Sequence, residues 1–96
     1  MKLSEIWYRA AKELKQVKQE FGDIDRKEAC AMGAICYYLS DGAAISPASL
    51  THFLDITYNR LLSDFRLAYG EHIITLNDEE GWSFEQFARK AEELGL

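Results

Sequence analysis

Two cysteines and two histidines are the residues of this chain best suited to do chemistry. A thiol beside a base becomes a nucleophile when a third group orients the base. Cysteine and histidine at short spacing also hold metal ions. Here Cys30 and Cys36 lie six positions apart, and His52 and His72 lie twenty apart. No CxxC, HxxxH or HExxH spacing occurs. Both cysteines fall in the most apolar stretch, where burial raises a thiol's pKa and makes it inert. The plain reading is two buried thiols packing as small apolar groups, and two thiols do not make a disulfide framework. No GxGxxG or Walker-type loop is present to cradle a phosphate. The run Asn77-Asp78-Glu79-Glu80-Gly81 has a calcium loop's composition but not its alternating ligand positions. It reads as an acidic turn ahead of a helix. No catalytic residue, metal ligand or cofactor is therefore expected.

Charge is the next source of information. Sixteen acids against eleven bases give a net charge of −5. Residues 1–35 hold seven bases and six acids, whereas residues 36–96 hold four bases and ten acids. The C-terminal part repels phosphates, so nucleic acid is not the expected partner. A recognition helix for DNA would need several basic or amide side chains, and the candidate offers only Asn59, Arg60 and Arg66. The charge suits a protein partner with a basic surface. The residues expected to meet it are Asp78, Glu79, Glu80, Trp82, Glu92 and Glu93. Trp82 would be the aromatic anchor of such a surface, although it also fits a staple at a helix start.

The elements that position these residues read as helices. Ninety-six residues suffice for one domain, 1–96, with one core. The expected class is all-α, a compact bundle of about four helices. The first spans Ser4 to Phe21, with Trp7, Ala10, Ala11, Leu14, Val17 and Phe21 at helical spacing and Gly22 as its stop. The second spans Asp25 to Ser40, capped by Asp25 and Glu28. It is apolar nearly all round and so predicted to be central. Gly33 there would let another helix approach closely. The third starts at Ser46-Pro47 and runs to Gly70. The fourth starts at Ser83, with Gln86 three residues on, and closes at Gly95. Residues 72–76, His-Ile-Ile-Thr-Leu, have the β-branched character of a short extended segment; a lone strand has no partner, so the alternatives are coil, the extension of a helix, or pairing in an oligomer.

Cys30-Ala31-Met32-Gly33-Ala34, then Ile74-Thr75-Leu76-Asn77-Asp78 and Gly81-Trp82-Ser83-Phe84, resemble a group of small bacterial and phage proteins. These share a C-A-x-G-A helix and a late N-D ahead of the last helix. The resemblance covers the C-terminal two-thirds of the chain. It implies a helical domain of a bacterial or phage cytoplasm, with Asn77-Asp78 as the turn that sets up the last helix.

The expected function is a non-enzymatic interaction or regulatory protein. A phage inhibitor of a host defence or nucleic-acid-handling protein is its specific form. The alternatives are a self-associating helical module, with a homodimer built on the small-residue helix or on the segment near Ile73, and a small hydrolase. No run of about 18 uncharged apolar residues exists to span a membrane. The start of the chain has no signal-peptide pattern, so the expected location is cytoplasmic.

Overall fold

The first helix stops at Glu13, although its apolar spacing predicts Phe21. A computed structural model describes residues 1–96. It contains six helices, α1 (Leu3–Glu13), α2 (Ala31–Leu39), α3 (Pro47–Phe53), α4 (Ile56–Tyr69), α5 (Ile73–Asp78) and α6 (Phe84–Glu93). Three two-residue strands, β1 (Lys15–Gln16), β2 (Gly22–Asp23) and β3 (Glu28–Ala29), complete it. The protein is mainly helical, but not all-α, and has six helices rather than four.

Residues 15–21 and 25–30, expected as the end of the first helix and the start of the second, instead belong to a small sheet with strand order β1-β3-β2 and its connections. β1 pairs with β3 in parallel, and β2 pairs with β3 antiparallel. The local preference of Lys, Gln and Glu is helical; tertiary bonds from this segment outweigh it. Val17 N–H donates to the Ala29 carbonyl at 3.0 Å, and Cys30 N–H donates to the Phe21 carbonyl at 3.0 Å. Gly22 is therefore a strand residue rather than a helix stop. Its φ of +141° and the Glu28 carbonyl, 2.2 Å from where a Cβ would sit, admit only glycine.

Two further boundaries differ. Asp25 and Glu28 do not cap α2: Asp25 lies in the turn between β2 and β3, and Glu28 is in β3. The cap is Cys30, whose Sγ accepts from Gly33 N–H at 3.3 Å. Gly33 permits a close approach, as its position predicts, but by the Phe21 carbonyl rather than by a helix. The long third helix is broken in two. Leu54 leaves helical geometry, and Asp55 recaps the chain by accepting from Tyr58 N–H at 2.8 Å. The caps Ser46 and Ser83, the proline at the first turn of α3 and the stop at Gly70 fall where the sequence puts them.

Residues 72–76 are not extended. Ile73–Asp78 form α5, and His72 caps it, its Nδ1 accepting from Ile74 N–H at 3.1 Å. Six residues are enough for one turn and a half, which puts Ile73, Leu76 and Asn77 on one buried face.

The core lies between α1 and α6. Leu3, Ile6, Trp7 and Ala10 meet Phe84, Phe87, Ala88 and Ala91, all buried. Alternation at i, i+3 and i+4 supplies both stripes. α2 packs across α1, and Trp7 Nε1–H donates to the Ala31 carbonyl at 3.0 Å. At the far ends of these two helices, Glu13 Oε1 accepts from Tyr38 O–H at 2.8 Å and from Arg9 Nε–H at 3.2 Å. The Tyr38 hydroxyl, then Arg9, hold the Glu13 carboxyl below its usual range. No helix is long and apolar enough to cross a membrane.

Candidate functional site

Both cysteines are buried and engaged in local hydrogen bonds. Cys36 S–H donates to the Ala44 carbonyl at 3.3 Å. Burial pushes the Cys30 and Cys36 thiols up from their ordinary value. The Cys30 sulfur bonds only the Gly33 amide, so no histidine is hydrogen-bonded to either thiol. His52 is exposed and packs edge-on against Phe53, with ring centroids 5.1 Å apart. No group of three His, Cys, Asp or Glu side chains converges to hold a metal ion.

The acidic turn divides into an inward and an outward part. Asn77 is fully buried. Its Oδ1 accepts from Gln16 Nε2–H at 2.8 Å and from Ala31 N–H at 3.1 Å. Its Nδ2 donates to the Val17 carbonyl at 3.0 Å and to Asp78 Oδ1 at 2.8 Å. Gln16 also donates to the Trp82 carbonyl at 2.6 Å, and its Oε1 accepts from Phe84 N–H at 2.8 Å. Asp78 Oδ1 accepts in addition from Gln19 N–H at 3.0 Å. Two side-chain amides thus join β1, the start of α2, the end of α5 and the start of α6. No buried side-chain N or O is left without a partner, as a buried polar network requires. Asn77 and Asp78 lie in α5 rather than in a turn, and Asn77 reaches the start of the last helix only through Gln16. The sequence reading missed Gln16 and the depth of Asn77. The available signal was the i, i+3, i+4 spacing of Ile73, Leu76 and Asn77 on one helical face.

Two of the remaining candidates, Trp82 and Glu93, meet at an aromatic stack. Trp82 is half-buried, its ring 5.2 Å from Phe87, 5.8 Å from Tyr69 and 6.4 Å from Phe65 between centroids. Trp7 continues the stack inward, 5.0 Å from Phe87 and 5.4 Å from Phe65. Tyr69 O–H reaches Glu93 Oε2 at 3.4 Å, and the Lys90 ammonium sits 3.5 Å from the same carboxylate oxygen. Tyr69 therefore touches both Trp82 and Glu93. Burial, then Glu93, push the Tyr69 phenol up. Glu79, Glu80, Glu92 and Glu93 are exposed. Only Glu93 among them is in an ion pair.

A separate cleft of about 250 Å³ opens where α2, α4 and the start of α5 meet. Met32, Leu54, Leu62 and Ile73 form its apolar lining, and Asn59, Ser63, Arg66 and His72 its polar lining. Sequence reading weighed Asn59 and Arg66 only as DNA contacts. Their spacing with Ser63, at i, i+4 and i+7, was the signal that they share a helix face. The features that suggested self-association lie inside the fold: Ala31, Gly33 and Ala34 are buried in α2, and Ile73 is buried in α5.

Compared with family models, curated proteins and solved structures, the chain matches none.

Proposed function

We propose that this chain is a non-enzymatic interaction protein that binds a partner protein of basic surface. The docking edge is the Tyr69–Trp82 pair with the carboxylates of Glu79, Glu80, Glu92 and Glu93. The observation that carries the reading is the combination of fixed rings and free acids. The two rings are held from beneath by Phe65 and Phe87, so little side-chain freedom is lost on docking. Glu79, Glu80 and Glu92 make no ion pair within the chain. Aromatic anchors supply contact area, while the surplus of carboxylates over the Lys90 ammonium steers association and selects against acidic surfaces. Asp78, committed to Gln19 and Asn77, positions the edge instead of meeting the partner. A phage inhibitor of a host defence or nucleic-acid-handling protein is the specific form of this reading; the resemblance at residues 30–34, 74–78 and 81–84 bears only on its bacterial or phage setting.

The test is a fourfold charge reversal, Glu79→Lys, Glu80→Lys, Glu92→Lys and Glu93→Lys. Immobilised wild-type chain is expected to retain a discrete partner from a bacterial lysate and release it as salt rises. The variant, with an unchanged far-ultraviolet spectrum, is expected to retain none. Retention of the same partner by the variant, or no partner at moderate salt, overturns the reading.

A further inference from the structure

The cleft beside α4 runs against the net charge of the chain. The chain carries five more acids than bases, yet no carboxylate lines this cleft. Arg66 lines it and has no carboxylate within ion-pair distance. His72 is the second polar group. Its Nδ1 is occupied as the acceptor for Ile74 N–H, so the ring proton sits on Nε2, which is left as a donor. Asn59 and Ser63 complete the polar lining, and neither side chain is engaged in a hydrogen bond within the chain. The opposing lining is apolar, with Ile73 buried and Met32, Leu54 and Leu62 half-buried.

We propose that this cleft binds a small amphipathic monoanion, a free carboxylic acid with a short apolar tail. A guanidinium fork matches a carboxylate edge to edge, which a single point charge does not. One arginine, with amide, hydroxyl and imidazole donors beside it, suits a single negative charge. A phosphate dianion would call for a second fixed cation, and the cleft has no lysine and no other arginine. The four apolar residues take the tail. A volume of about 250 Å³ falls below the roughly 300–1,000 Å³ of sites for drug-sized ligands, so the tail is short. This inference is independent of the acidic docking edge, since it uses none of its residues.

The experiment is a titration of the full ¹⁵N-labelled chain with hexanoate, followed by amide chemical shifts, with hexanol and hexylamine as controls. Saturable shifts are expected at residues 59–66 and 72–73 with hexanoate, and binding of hexanol about tenfold weaker or less. Arg66→Gln is expected to weaken hexanoate about tenfold, with Arg66→Lys falling between. Arg66 is exposed and its side chain bonds nothing else in the chain, so the variants keep the fold. Ser63→Asp, which puts a carboxylate in the cleft, is a second variant expected to abolish binding. The proposal is overturned by no saturable shift up to the solubility limit, by equal affinity for hexanol, by shifts scattered over surface lysines, or by an unaffected Arg66→Gln. Binding of a peptide ending in leucine without binding of hexanoate overturns it as well.

Discussion

The α1–α6 pair and the α3–α4 arm contain similar sequence patterns and hold the molecule together to very different degrees. α1 buries five of its eleven residues. α4, the longest helix at fourteen residues, fully buries only Phe65. Ile56 is 87% exposed and Leu67 81% exposed on it. Helix length and apolar content are similar guides to both, yet what a helix contributes depends on how many side chains it places under another element. The tied half also holds the Gln16–Asn77 hub, which gives its geometry a single solution. The arm is attached through Leu50, where α3 packs on α2, through Phe65, and through a string of half-buried residues. Its surface is correspondingly free to carry the cleft, as loosely held elements commonly carry binding functions.

The largest effect is expected where the arm meets the core. Phe65→Ala removes a ring packed on Trp7, Phe87, Tyr69 and Trp82. It should cost about 3–5 kcal/mol in denaturant unfolding, and hydrogen exchange should show α4 amides losing protection before those of α1. Equal loss in both would break the contrast. Asn77→Ala tests the tied half. It leaves the Val17 carbonyl and Ala31 N–H unpaired, at about 2–4 kcal/mol; a loss under about 1 kcal/mol would remove the hub from the account.

Gly33→Ala comes next. Its Cβ would lie 2.3 Å from the Phe21 carbonyl oxygen. A gain of about 1 kcal/mol in helix propensity is then outweighed by overpacking of about 1–3 kcal/mol, and the melting temperature should fall. Ile56→Asp and Leu67→Asp should each stay within about 0.5 kcal/mol of wild type. A larger loss would mean the arm is covered in solution.

The smallest effect is electrostatic. Glu13 has a depressed folded pKa, chiefly through Tyr38. Its contribution is complete above the ordinary value of about 4.3 and is lost as pH falls through the lower folded one. Tyr38→Phe should raise the Glu13 titration midpoint in a carboxyl NMR titration and flatten stability across that acid window only.

The C-terminal half was the more legible. Ser83, Gln86, Phe87 and Gly95 follow local rules of capping and spacing, and α6 obeys them. Ser46-Pro47 and Gly70 did so as well. Residues 15–21 and 25–30 were misread as helix because their helix-forming side chains say nothing of partners far along the chain. Gln16 bonds to residues 77, 82 and 84, and no window of neighbours contains that fact. The break at Leu54–Asp55 was visible only as a second cap inside an otherwise continuous stripe. His-Ile-Ile-Thr-Leu reads as extended by propensity, yet Asn77 had to be turned inward, and one helical turn achieves this. The outward acids were legible because surface charge needs no fold to be counted. The cleft was not, since Met32 and Ile73 enter it from elements that adjoin only in the folded chain.

The bond from Gln16 to Phe84 N–H has a consequence for how the chain is made. Most small helical proteins gather their contacts from near neighbours and fold fast; distant closures slow a chain. Here α1 finds its main partner only in α6, and Ser4 N–H reaches the Leu96 carbonyl. During synthesis the side of Leu3, Ile6, Trp7 and Ala10 that α6 covers stays open until residues 84–93 have left the ribosome, even after α2 has packed on α1. The nascent chain is most in need of a chaperone in that interval.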